Sequence, residues 1–418
     1  MTQIIVGATR DGVSTMAETF AASTPHPIVE LLRHASPAAV DVFTRILTRG
    51  PISRVDVARL TGLSQAAVTK AVGPFIAAGV VADNLESLKG GRPGRPANPL
   101  RVRAEALVVI GVKVNADDII GVATNSAAEI LATVHLKIDD TEFGTVVDGI
   151  DSVVEQLNLQ LGDRAAKVGG VGVSVSGDVD SENGVVRESA LLGWSNLPLG
   201  SVLHERLRCG VLIDNDVRAL TIAEHWFGVG VGTASFAIVT IGSGIGCGLH
   251  LNGEVVEGAY GVAGEIGHLP LTSPDRICTC GRHGCVEAVA SSGAIVKAVV
   301  DGGARADLTL QDVVDLAHAG DPLAVAAFDE AGTVIGTAIA TMVNLAGPQL
   351  VLISGEAVAD YDLYDRRLRA AFAEHAFGAA ANCRIVIRPH SFDDWARGAA
   401  ASVIRAIVTQ RYPQPRYN

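Results

Sequence analysis

Apolar positions recur at helical spacing over the first part of the chain, and this pattern predicts several short helices. The spacing is clear across residues 28–47 and resumes after residue 53. Ser53 and Ser64 are good N-caps for two further helices, and Gly62 lies in the short turn between them. Two short helices joined by a turn that contains Gly are typical of a helix-turn-helix unit.

A strand pair with a basic loop is predicted directly after these helices. Strand character at residues 80–83 and again from Leu100 flanks a stretch rich in Gly, Arg and Pro. We interpret residues 27–103 as a winged helix-turn-helix domain that follows a flexible tail over 1–26, although a plain helix pair and a linker would give the same pattern. The expected DNA contacts are Ser64, Gln65, Ala66, Thr69, Lys70, Arg92 and Arg95.

The pattern changes to short apolar strands and glycine-rich loops from residue 104 onward. Strands are predicted at 107–114, 119–124, 130–138 and 168–175, with a helix over 143–161, and a second cycle starts near Ser235. A helix over 395–408 is expected to pack on the body or on a partner subunit. Strand clusters that alternate with helices predict an α/β fold of two lobes over 104–418, with a ligand cleft between them.

Charge and composition narrow the classes of function. The chain of 418 residues has a net charge of −12, yet residues 1–103 hold 12 Lys and Arg against 7 Asp and Glu. A basic front on an acidic body indicates a polyanion-binding module joined to something else. Aromatic residues are only 4%, which argues against stacking platforms for single-stranded nucleic acid. We see no secretion signal and no transmembrane segment, and expect a cytoplasmic protein.

Three polar stretches follow strands and are candidates for the cleft. Asn215 and Asp216 could hold sugar hydroxyls, and Asp216 could act as a general base, although an Asx cap would use the same residues. Glu265 and His268 could grip a hydroxyl together, or form a surface ion pair. Alternate glycines over 242–248 could cradle a phosphate, but a tight hairpin needs the same residues.

Cysteines concentrate in one short segment near these stretches. Cys278, Cys280 and Cys285 lie within eight residues, and glycines between them permit a tight knuckle. Three thiols in this spacing predict a structural Zn²⁺ site, which needs a fourth ligand. His268 is the natural candidate, with His283 and Cys247 as competitors.

Taken together, these stretches resemble the ROK family (repressor, open reading frame, kinase). The resemblance covers the chain from about Ile28 to about Ile407 and rests on C-x-C-G-x-x-G-C-x-E at 278–287, G-E-x-G-H at 264–268, Asn-Asp at 215–216 and the glycine run. It implies an actin-like, hexokinase-type fold and zinc held by His268, Cys278, Cys280 and Cys285. It also implies sugar contacts from Asn215, Asp216, Glu265, His268 and Glu287, and we add Trp194 and Asn196 as candidate pocket residues.

One departure from the family pattern bears on catalysis. Family kinases open this domain with D-x-G-G-T-K, whereas the strand here reads Ile-Gly-Val-Lys-Val-Asn-Ala-Asp over 110–117. We expect Val112 and Val114 to crowd any phosphate, so that Asp216 is at most a vestigial base. The prediction is a sugar-responsive or sugar-phosphate-responsive DNA-binding regulator, a repressor that acts as a homodimer or tetramer on double-stranded DNA. The alternative is an ATP-dependent sugar kinase with an accessory front domain.

Overall fold

The front of the chain contains the predicted helix pair and strand pair. The computed structural model describes residues 26–83 and 98–412. Ser53 and Ser64 cap their helices by accepting hydrogen bonds from the backbone N–H groups of Asp56 and Ala67, and Gly62 ends the first of the two at φ +71°. The elements are α1 (Pro27–Arg33), α2 (Pro37–Arg49), α3 (Arg54–Thr61), α4 (Gln65–Ala77) and the antiparallel strands β1 (Val81–Ala82) and β2 (Arg101–Val102).

Two expectations for this front part fall outside the described residues. One is the tail, of which only residue 26 is described, and the other is the loop with Arg92 and Arg95. The buried side chains of α1 to α4, β1 and β2 form one apolar core, which continues into the body of the protein.

The body begins with a lobe built on a five-stranded sheet. Its strand order is β10-β6-β3-β4-β5, in which β3, β4 and β5 are antiparallel neighbours and β6 and β10 are added in parallel. The elements are β3 (Val108–Val114), β4 (Asp118–Asn125), β5 (Ile130–Lys137), α5 (Phe143–Leu161), β6 (Val168–Val175), β7 (Asp178–Asp180), β8 (Val185–Ser189), β9 (Trp194–Leu197), α6 (Leu199–Leu207), β10 (Val211–Asn215) and α7 (Asp216–Phe227).

The second lobe repeats the same sheet pattern. Its order is β13-β12-β11-β14-β15, again three antiparallel strands followed by two parallel ones. This repeat is the actin-like arrangement of the prediction. The elements are β11 (Phe236–Ile241), β12 (Ile245–Leu251), β13 (Glu254–Val255), α8 (Glu287–Ala290), α9 (Ser292–Asp301), α10 (Leu310–His318), α11 (Pro322–Ala346), β14 (Leu350–Ser354), α12 (Asp362–His375), β15 (Arg384–Ile387) and α13 (Phe392–Val408).

The prediction that Val112 and Val114 of β3 would crowd a phosphate is wrong. Val112 and Val114 are fully buried in the apolar core of the first lobe, which α5 covers, so they do not face the cleft and cannot crowd a phosphate there. Because side chains alternate along a strand, Lys113 points the opposite way and lines the cleft. The charged residue, not the valines, therefore decides what the cleft accepts at this strand.

Helix α13 is the central packing element of the molecule. It packs against β3, β4, β6 and α7 within the chain, so the alternative that it serves a partner subunit is not needed to explain its apolar face. Its last two turns join the same apolar core as α1 and α2. Just beyond it, the Gln410 side chain donates to the carbonyl oxygens of Leu32 at 2.7 Å and Ala35 at 3.0 Å, which fastens the end of α1 to the body.

Helix α11 is the longest helix and differs from the rest in its apolar character. Within the described ranges it is the one helix long and apolar enough to cross a bilayer by length and composition alone. However, 56% of its most apolar window is buried, and α12 packs along it. Such burial is typical of a helix that packs inside a protein core.

Candidate functional site

A cleft of about 510 Å³ lies between the two lobes. The end of β10, the turn between β11 and β12, and the start of α13 all reach it. Its lining includes four carboxylates, which belong to Asp216, Glu265, Glu287 and Glu356. The cleft is therefore acidic and rich in hydrogen-bond acceptors, which suits the hydroxyl groups of an uncharged polyol.

Asp216 is buried at the base of the cleft and is paired with a lysine. Lys113 Nζ donates to Asp216 Oδ2 at 2.5 Å, and Ser176 Oγ donates to the same oxygen at 2.6 Å. Burial alone raises the pKa of Asp216, but the Lys113 ammonium and the hydrogen bonds outweigh it and hold that pKa below its usual value. Asp216 is thus an ionised, fully occupied carboxylate and a poor proton acceptor.

The glycine run forms a tight hairpin turn between β11 and β12. Two backbone N–H groups at this turn already have carboxylate acceptors, because Ser243 N–H donates to Glu356 at 2.7 Å and Ile245 N–H donates to Glu287 at 3.0 Å. Gly248 packs directly against Thr221 of α7, so the glycine is required for close helix contact. Residues 242–248 therefore form the tight hairpin that was the alternative to a phosphate cradle. The two backbone N–H groups that a phosphate would use already donate to carboxylates.

The remaining predicted sugar residues divide into two groups. Asn215 lines the cleft and also caps α7, since its side chain accepts from Arg218 N–H at 3.0 Å. Glu265 and His268 line the cleft next to each other, with 3.8 Å between a carboxylate oxygen and Nε2. Asn196 and Trp194 do not line it: Asn196 is exposed on β9, and the indole of Trp194 is buried and donates to the Thr141 carbonyl at 2.7 Å.

The structure brings the predicted metal ligands together beside the cleft. Side-chain donor atoms of His268, Cys278, Cys280 and Cys285 all lie within 4.8 Å of one another. The Cys280 and Cys285 sulfurs are 3.9 Å apart, and the Cys278 sulfur is 3.8 Å from His268 Nδ1. Tetrahedral coordination with metal–sulfur bonds of ~2.3 Å places sulfurs roughly 3.8 Å apart, so this cluster could hold a metal ion.

The two competing ligands lie elsewhere. His283 Nδ1 is 2.9 Å from the carbonyl oxygen of Pro274, and Cys247 lies on β12 with its sulfur 3.9 Å from the neighbouring carbonyl oxygen of Gly248. His268 directs Nδ1 to the cysteines and Nε2 to Glu265, so its ring connects the cluster to the cleft. A metal bound at Nδ1 would fix the orientation of this ring.

The expected DNA-contact residues within the described part of the chain lie on one exposed surface. Ser64, Gln65, Ala66, Thr69 and Lys70 are all exposed at the start of α4, while Val68 on the opposite face is fully buried. The Thr69 hydroxyl donates to the Gln65 carbonyl at 2.9 Å. An exposed, polar helix start is what helix-turn-helix proteins present to the major groove.

Sequence reasoning missed several residues of the cleft. Lys113, Ser176 and Glu356 all touch the proposed binding machinery, and Phe392 and Trp395 of α13 line the cavity. A local signal existed for Lys113, because a single charged residue inside the otherwise apolar strand 108–114 needs a buried partner. Nothing in the local sequence connects Glu356 to a turn 113 residues earlier.

The model of the ROK family matches residues 109–406, which is most of the chain. The chain belongs to the ROK family. It is 29% identical over 351 residues to a putative xylose repressor of a Caldicellulosiruptor species, covering 80% of this chain and 87% of that protein. It is 28% identical over 263 residues to a glucokinase of Halalkalibacterium halodurans, covering 59% of this chain and 79% of that protein.

One solved structure of a transcriptional regulator matches the fold of nearly the whole chain. A crystal structure of a ROK family transcriptional regulator, a homologue of the E. coli Mlc protein, superposes with a TM-score of 0.75 at 25% identity. The alignment covers 89% of this chain and 96% of that one. Repressors and kinases thus both share the fold, and the local chemistry of the site has to distinguish them.

Proposed function

We propose that this protein is a sugar-responsive, DNA-binding transcriptional repressor. Its front helices contact a double-stranded operator, and its two-lobed body binds an uncharged sugar. The likeness to a putative xylose repressor and to an Mlc-like regulator over most of the chain supports this assignment. A winged helix reads a short half-site, so we propose a homodimer on a two-fold symmetric operator.

The observation that carries the proposal is the position of α13. Its first turns supply Phe392 and Trp395 to the cleft, and its last turns pack Ile404 and Ile407 into the core of the front domain. A 17-residue helix spans about 25 Å, which makes α13 a single rigid connection between ligand and head. Closure of the lobes around a sugar would shift α13 and with it the helices that meet DNA.

We propose an uncharged sugar, rather than a sugar phosphate, as the ligand of the cleft. Glu265, Glu287 and Glu356 add negative charge there. The Lys113 ammonium is already neutralised by Asp216, and the Arg218 guanidinium by Asp214. A phosphate dianion would meet these carboxylates at short range, whereas hydroxyls of a neutral sugar can donate to them.

We propose that phosphotransfer is absent or residual. A kinase would need Asp216 to accept a proton, but Asp216 is paired with Lys113. A kinase would also need the turn amides to hold phosphates, but the Ser243 N–H already donates to Glu356. The kinase alternative is retained only because kinases share the fold. Turnover of ATP with any hexose at ordinary enzyme rates, ~1–10³ per second, would contradict the proposal.

We propose Zn²⁺ for the His268 and cysteine cluster, because three thiolates and one imidazole are its preferred donors. The bound metal would hold the knuckle closed and orient His268 toward the sugar. Glu287 lies between the two parts, since its carboxylate accepts from both the Ile245 N–H at 3.0 Å and the Thr279 hydroxyl at 3.3 Å. The metal therefore supports the cleft instead of reacting in it.

A thermal-shift screen with D-glucose, D-xylose and N-acetylglucosamine tests the cleft. A ligand that binds only the native state raises the melting temperature. The active sugar should then change the affinity for a DNA duplex selected from a random library by about 5–150-fold, measured by fluorescence anisotropy.

Glu265→Gln is the matched test of the site. It should weaken the effective sugar about tenfold or more, because hydrogen bonds to a charged acceptor contribute ~1.5–3 kcal/mol. Glu155→Gln, on the exposed face of α5, is the control and should leave the sugar response unchanged. If both variants bind the sugar equally well, the ligand does not lie in this cleft.

A further inference from the structure

A second cavity lies where the front domain meets the body. Its volume is about 380 Å³, which is near the lower end for small-ligand pockets. Helix α2 forms one wall, α7 and the turn before β13 form another, and the end of α13 with the residues after it forms the third. The cavity is thus built jointly by the DNA-binding head and the sugar-binding body.

Four arginines from both domains line this cavity. Arg45 and Arg49 come from α2 of the head, and Arg405 and Arg411 come from the body. Glu254 is the one acidic residue in the lining, and its carboxylate is 4.0 Å from Arg405. The lining thus has four cationic side chains and one anionic side chain, although the whole chain has a net charge of −12.

Two of these arginines have no ion pair within residues 26–83 and 98–412, namely Arg49 and Arg411. Arg45 is paired with Asp41 at 3.2 Å on its own helix. Arg405 is largely enclosed, with a side-chain exposure of 17%. Guanidinium groups held together with so few carboxylates repel one another, and an anionic ligand would relieve that repulsion.

The neighbouring histidine reports the positive field of this cavity. Burial, then His250, and then Arg405, Arg45 and Arg49 lower the pKa of His225 to about 3. Three of the four arginines therefore act on one imidazole in the cavity wall. His225 remains neutral at physiological pH, so the positive charge of the cavity comes from the arginines.

We propose that this cavity binds a phosphate dianion, carried by a small phosphorylated metabolite. Arginines bind phosphate through paired N–H donors, and the pocket has the size for a small phosphate ester. The acidic cleft disfavours the same group, so the two sites would sort neutral from phosphorylated ligands. This inference goes beyond the proposed sugar response, because the anion bridges α2 of the head to the end of α13.

Isothermal titration at constant ionic strength tests the site with inorganic phosphate, glucose 6-phosphate and glucose. The wild type should bind at least one of the two phosphate compounds, and binding of inorganic phosphate alone would assign recognition to the phosphate group. Arg49→Gln and Arg411→Gln should each weaken that binding at least tenfold. Arg305→Gln is the matched control, since that arginine is 61% exposed and pairs with Asp307 and Asp312 in another part of the body.

The outcomes separate this site from the cleft. Phosphate binding retained in Glu265→Gln but lost in both arginine variants supports the proposal, whether or not any neutral sugar binds. Binding that survives both arginine variants, or is lost only in Glu265→Gln, overturns it. The absence of binding by either phosphate compound at millimolar concentration also overturns it. A loss of DNA affinity in the arginine variants without any phosphate binding would assign these arginines to the DNA backbone instead.

Discussion

Replacing Lys113 with Met tests the buried ion pair on which the proposed absence of phosphotransfer depends. Lys113 and Asp216 have side-chain exposures of only 5% and 9%, and they form one short ion pair. Removal of one partner leaves the Asp216 carboxylate buried without its cation, which costs about 3–5 kcal/mol in comparable buried pairs. The double variant Lys113→Met/Asp216→Leu removes both charges and should recover most of that loss.

The pH dependence of the loss has a defined sign. In the wild type the pKa of Asp216 is lowered, so its contribution to stability is present above about pH 4, the unfolded value, and is lost only as the pH falls through the lowered native value. Without Lys113, burial dominates and raises the native pKa. The variant should then lose stability as the pH rises, so the gap to wild type should widen from pH 5 to pH 8.

Urea unfolding at pH 5 and pH 8 measures this gap. A loss of 3–5 kcal/mol corresponds to a pKa change of about 2–4 units, since one unit is ~1.4 kcal/mol. Lys137→Met is the matched control. Lys137 also forms ion pairs, with Asp117 and Asp118, but its side chain is exposed, so the variant should leave the urea midpoint nearly unchanged. A Lys113→Met protein as stable as wild type at pH 8, or a deficit equal at both pH values, would refute the reasoning.

Three further predictions concern the head, the metal and the body. Lys70→Ala should weaken DNA binding and reduce the salt slope of log K by about 0.9, in contrast to Lys297→Ala on the exposed side of α9, and an unchanged slope would contradict the placement of the DNA surface. Cys280→Ser should lose bound zinc by mass spectrometry and also the sugar response, whereas Cys209→Ser should retain both. Glu224→Gln should lower the free energy of unfolding by about 3–5 kcal/mol, because Glu224 is fully buried and accepts from His390 at 2.9 Å and Arg388 at 3.2 Å; an unchanged urea midpoint would show that this network adds no stability.

Local patterns in the sequence were sufficient for many individual elements. The helix at 143–161 and the strand at 168–175 have the predicted bounds, because their periodicity and their flanking glycines are local signals. Helices α9 to α12 were not predicted. Of these, α11 is alanine-rich and apolar on most sides, whereas α10 and α12 alternate apolar and charged faces, a local signal that could have identified them. Asn196 was a candidate pocket residue, but it is exposed on β9 and does not line the cleft.

The sequence by itself determined the family and indicated the cysteine cluster as a candidate metal site, because these residues lie close together in the chain and their spacing carries the chemistry. Only the tertiary structure decided which charged groups meet in the cleft. Lys113 and Asp216 are 103 residues apart, Ser243 and Glu356 are 113 apart, and α2 meets the end of α13 across most of the chain. Such contacts depend on how sheets and helices pack, so they cannot be predicted from the local spacing of apolar residues.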